Sequence, residues 1–153
     1  MIYNDIKFEL FVVRNMTCTF IGHKDCPFSV KERLEGVILE LISKDIKHFF
    51  VGNNGNFDYL VQETLSKLIK MGFSINVSIV LSYINETSIS EHQELTVFPE
   101  ELSNAPKRFA ISKRNEYLLK KSSIIVCYVN NTFSNSYKWL EKARKKGLSI
   151  VEI

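Results

Sequence analysis

Nowhere in this 153-residue sequence does an apolar run approach the roughly 20 residues that a membrane-spanning helix needs. The opening stretch, "MIYNDIKFELFVVRN", lacks the basic start and small-residue cleavage site of a secretory signal. A cytosolic protein with no membrane partner is therefore expected. Cysteine is sparse. The three present follow no tight spacing, which argues against a disulfide framework and suits a reducing compartment. Charge of either sign is nearly balanced at +3, with a pI near 8.7. That excess is too small to argue for nucleic acid, which is not expected as a partner. Repeats and low-complexity tracts are absent. Glycine is scarce, yet two of its six copies stand in "VGNNGNFDYL", Val51–Leu60.

What is present is an alternation of short apolar runs with amphipathic stretches. "TCTFI" (17–21) reads as a buried strand. In "PFSVKERLEGVILELISKD", Val30, Leu34, Val37, Ile38, Leu41 and Ile42 share one helical face. Ser29 is the expected N-cap, with Glu32 completing a capping box. "KHFFVG" reads as a strand and "FDYLVQETLSKLIKMG" as a helix closed by Gly72. "INVSIVLSYI" is a strand rich in β-branched residues. Residues 85–106 are polar and irregular, and their length suggests a lid or binding loop. "KRFAISKRNEYLLKKS" and "SNSYKWLEKARKKG" read as helices, with "SIIVCYV" and "LSIVEI" as the strands that follow them. The order β-α-β-α-β-loop-α-β-α-β predicts an α/β, Rossmann-like three-layer sandwich, with a mainly parallel sheet between helices. Residues 16–153 form the expected domain. Residues 1–15 are an N-terminal extension or an extra edge strand.

In such a sheet, ligands bind beyond the carboxyl ends of the strands. "GHKDCP", "GNNGNFD", the loop from Asn85 and "NNTFSNS" all lie there, and all are polar. Gly52 and Gly55 permit torsions that a Cβ opposes and let a ligand approach the main chain. The helix that follows offers free N–H groups to an anion such as phosphate.

"TFIGHKDC", "FFVGNNGNFD", "FPEELSNAPKRFAISKRNEYLL", "IIVCYVNNTFSNSYKWLEKARKKG" and the closing "SIVEI" together resemble the short, single-domain bacterial proteins of the SLOG superfamily. That superfamily also holds the LOG phosphoribohydrolases and the DNA-processing Smf-type proteins. The resemblance spans residues 16–153 and implies a Rossmann-like sheet with a nucleotide-type pocket. It places the pocket at Gly22, His23, Gly52, Asn53, Gly55, Asn56, Asp58, Arg114 and Asn115. Where the family has a Trp-Gly-Gly-Ala turn, this chain has Phe133, Ser134, Asn135 and Ser136. Thr132, Ser134 and Asn135 are added as ligand-binding candidates at that corner, where Ser134 could also cap the helix. The LOG signature "PGGxGTxxE" is absent, so its hydrolase activity is not transferred.

His23 and Asp58 are the candidate acid–base groups if a reaction occurs. Asp58 could instead hold a ribose hydroxyl or sit favourably at a helix start. Arg114 could make a two-pronged phosphate contact. His23 and Cys26 give an H-x-x-C spacing without a second ligand pair, so no metal and no cofactor are expected. Cys18, Cys127 and Trp139 read as core, and "KARKKG" as a solvated helix end. The expected function is binding of a nucleotide or an ADP-ribose-like derivative, for sensing or sequestration. The alternatives are a nucleotide-cleaving hydrolase and a ligand-free protein-interaction module. Superfamily analogy allows a homodimer.

Overall fold

The first apolar run becomes β1, Thr17–Gly22, in a computed structural model that describes residues 16–83 and 93–153. The amphipathic stretch after it forms α1, Lys31–Ser43, followed by β2, His48–Val51. The glycine-containing loop leads into α2, Asn56–Lys70, and then β3, Asn76–Val80. A two-residue strand, β4 (Thr96–Val97), precedes α3, Ala110–Lys121. The chain closes through β5 (Ile124–Tyr128), α4 (Asn135–Lys145) and β6 (Ser149–Glu152).

Among the described residues, six strands form one sheet in the order β4-β3-β2-β1-β5-β6, and each pairing is parallel. Alternation along the strands sends side chains to opposite faces. Cys18 and Phe20 of β1, with Ile124 and Val126 of β5, join Leu34 and Ile38 of α1 and Leu60, Leu65 and Leu68 of α2 in the main core. Ile21 and Ile125 point the other way, toward Leu119 of α3 and Trp139 and Ala143 of α4. Helices α1 and α2 thus cover one face, and α3 and α4 the other. Apolar positions at helical spacing decide which side of each helix faces the sheet.

Two details depart from the sequence expectation. Ser29 does not cap α1. Pro27 starts a 3₁₀ turn at Phe28–Val30, Val30 becomes the N-cap, and no side chain bonds the free amides. The expected loop over 85–106 contains β4, paired to β3 through Ile79 and Val80. It also contains 3₁₀ turns at Gln93–Leu95 and Glu100–Leu102. The N-terminal extension or edge strand expected over residues 1–15, and the first part of the expected lid, lie outside the described residues. Among the described residues, no helix is long and apolar enough to cross a membrane.

Candidate functional site

The strand order reverses between β1 and β5. A cavity of about 500 Å³ opens there, beyond their carboxyl ends. Its walls come from the loop after β1, the start of α2, the inner side of α3 and the start of α4. Of the residues singled out from sequence, it brings together Gly22, His23, Asp58, Arg114, Asn115, Ser134 and Asn135. Gly52, Asn53, Gly55 and Asn56 are not in the lining but adjoin Asp58, Arg114 and Lys24, which are, and Thr132 is exposed and outside the lining. Lys24, Asp25, Asn54, Arg108 and Ser112 also line the cavity and were not anticipated. A second groove, about 560 Å³, lies on the outer side of α3. Its lysines Lys113 and Lys120 pair with Glu116 and Glu101, and Lys146 also lines it.

The glycines of "GNNGNFD" are fitted to the protein's own chain. A Cβ on Gly52 would lie 2.7 Å from Asp58 Oδ2 and 2.9 Å from Arg114 Nη1. Gly55 has φ +97°, and a Cβ there would lie 2.6 Å from the Lys24 Cα. One on Gly22 would meet the Phe57 ring at 2.3 Å, which ties the first motif to the second. Two amides where this loop enters α2 are already bonded within the protein. Asn54 N–H donates to Asp58 Oδ2 at 2.9 Å, and Asn56 N–H to the Lys24 carbonyl at 2.9 Å.

Arg114 is only 2% exposed. It crosses from α3 beneath the cleft, where Nε donates to Asn115 Oδ1 at 3.0 Å. Its Nη1 donates to Asn53 Oδ1 at 2.9 Å and to the Val80 carbonyl at 3.2 Å. Those bonds tie α3 to the ends of β2 and β3. Burial lowers the Arg114 pKa and the nearby Asp58 opposes that fall, leaving a guanidinium. Burial pushes the Asp58 carboxyl up, against the pull of Arg114 and the Asn54 amide. Asp58 is thus a buried group fixed at the start of α2 by the Asn54 amide rather than a free acid at the surface.

His23 is buried, and its Nε2 accepts the Asn130 N–H at 2.9 Å. That bond needs a neutral ring and occupies the lone pair a general base would use. His23 therefore anchors the loop after β5. Ser134 Oγ accepts from Tyr137 N–H at 3.1 Å, capping α4 as its position suggested. Ser136 Oγ donates to the Gly22 carbonyl at 2.9 Å, closing the seam between β1 and α4. Cys18, Cys26 and Cys127 are all buried free thiols.

An all-parallel sheet, helices on both faces and a cleft at the point of strand reversal together define a Rossmann-like fold. Solved structures of DNA processing protein A share it. The Helicobacter pylori protein, described for its single-stranded DNA binding mode, superposes with a TM-score of 0.68 at 14% identity, over 91% of this chain and 65% of that one. The Streptococcus pneumoniae protein superposes with a TM-score of 0.70 at 13% identity, over 92% of this chain and 51% of that one. This chain therefore spans from half to just under two thirds of those proteins. No protein-family profile matches it, and no curated protein does. The likeness agrees with the motif resemblance to the SLOG superfamily.

That comparison overturns two expectations. The reading as a nucleotide or ADP-ribose-like sensor is corrected, because a structure of this fold is described for binding single-stranded DNA. The exclusion of nucleic acid as a partner falls with it. The physical reason is that a whole-chain charge of +3 hides a strong polarity. Residues 107–146 hold eleven lysines and arginines against two acids, Glu116 and Glu141, a local charge of +9. Helices α3 and α4, with their connections, therefore form a basic layer, and the remainder of the chain carries −6.

Proposed function

We propose that this chain is a single-stranded nucleic-acid-binding domain that receives its ligand at the cleft rim formed by the starts of α3 and α4. The observation that carries this reading is a net charge of +9 over residues 107–146, the segment that contributes Arg108 and Arg114 to the cleft lining. A basic groove attracts a phosphodiester backbone irrespective of sequence. Lys24 and Arg108 are exposed and line the cavity. Aromatic rings are interleaved with the cations. The Arg108 guanidinium lies 4.7 Å from the Phe109 ring centre, and Lys107 Nζ lies 5.6 Å from that of Tyr83. Single strands favour that mixture, because unstacked bases seek aromatic faces while phosphates seek charge.

Fluorescence anisotropy with a labelled oligothymidine tests it. The double variant Lys24→Gln, Arg108→Gln is expected to bind on the order of tenfold more weakly than wild type. Lys44→Gln, at the end of α1 and paired with Glu40 at 3.4 Å, leaves the affinity unchanged. Equal affinity in wild type and the double variant would remove the cleft from the account.

A further inference from the structure

Phe133 is 94% exposed. It stands at the tip of the loop between β5 and α4, next to Ser134 and Asn135, which line the cleft. The loop is tied on both sides of the ring. On one side, Asn130 N–H is held by His23 at 2.9 Å. At the tip, Phe133 N–H donates to Asn131 Oδ1 at 2.9 Å, and Ser134 Oγ donates to the Asn131 carbonyl at 2.7 Å. On the other side, Ser134 caps α4. A phenyl ring is thus presented to solvent by a turn already ordered by its own hydrogen bonds, within a layer of net charge +9.

We infer that Phe133 is a stacking platform for an unpaired base of the strand held at the cleft rim. The inference rests on the nucleic-acid reading above and adds what distinguishes a single strand from any other polyanion. Lysines and arginines recognise phosphate wherever it comes from. An exposed aromatic face beside them recognises a base that has left its stack, whatever that base is. The ordered turn matters because the backbone that carries the ring loses little freedom on contact. Charge complementarity selects a nucleic acid over an apolar partner surface as the occupant. Duplex DNA keeps its bases stacked inside and cannot use the ring.

The test compares Phe133→Ala and Phe133→Trp with wild type, using a labelled oligothymidine and inorganic polyphosphate as probes. Phe133→Ala is expected to weaken oligothymidine binding about tenfold and to leave polyphosphate binding unchanged. Phe133→Trp retains affinity, and its added fluorescence is quenched by oligothymidine and not by polyphosphate. Three results would overturn the inference. One is equal oligothymidine affinity in wild type and Phe133→Ala. A second is equal weakening toward both probes, which marks a general loss of field or fold. A third is a change in self-association without a change in oligothymidine affinity, which assigns the ring to a second copy of the chain. If the wild type binds oligothymidine and Phe133→Ala is unaffected, this inference fails alone. If the wild type binds none, the reading beneath it fails too.

Discussion

Gly55 and Gly36 are the same residue under opposite constraints. Gly55 has φ +97° and ψ 178°, a region closed to side chains, with the Lys24 backbone where a Cβ would go. Gly36 lies within α1, exposed, and a methyl group there would meet nothing within 4 Å. Gly55→Ala is expected to lower unfolding stability by about 1–3 kcal/mol, and Gly36→Ala to raise it by about 0.5–1 kcal/mol. Urea denaturation of the two variants checks both signs. Residues in "VGNNGNFD" and "GHKDC" were legible as one site because the motifs stood at strand ends. Their reasons were not legible, since Gly22 answers to Phe57 and Gly52 to Arg114, partners 35 and 62 positions away. Without the motif resemblance, composition alone would read Arg114 as an exposed helix cation. Only the fold buries it and supplies Asn53, Asn115 and the Val80 carbonyl.

At the scale of elements, the carboxyl ends of three helices follow one pattern. Residues Gly72 and Gly147 take positive φ after α2 and α4, and Asp45, at φ 68°, does so after α1. In each, the next residue's amide reaches back to the last turn, as in Phe73 to Leu68, Leu148 to Ala143 and Ile46 to Leu41. The glycine stops were readable from sequence, whereas an aspartate in that role was not. Starts were less legible than stops. Ser29 offered a capping side chain, but Pro27 drew the chain into a 3₁₀ turn first. Ser134 does cap α4, and its hydroxyl also donates to the Asn131 carbonyl at 2.7 Å. Ser134→Ala is expected to cost about 1 kcal/mol, while Ser134→Thr keeps both bonds and most of the stability. Thermal unfolding of the pair separates the cap from the volume of the side chain. The strand β4 escaped sequence reading because two residues carry no periodicity, and its place is set by pairing with Ile79 and Val80.

For the whole molecule, the parallel sheet and its helical layers were readable because the apolar runs change period from element to element. Charge was misread because it was summed over the chain. Summed by layer, the residues from Lys107 to Lys146 carry +9 and the rest −6. An asymmetry of that size is expected to orient the molecule toward a polyanion and to make association depend steeply on salt. The measurement that bears most directly on this is the affinity of the wild-type protein for a labelled oligothymidine across a salt series, beside the matching duplex. Tighter binding of the single strand is expected, with log K falling linearly against log salt at a slope of about −0.7 for each phosphate engaged. No binding at low salt, or binding whose strength ignores salt, would contradict a nucleic-acid role for the basic layer.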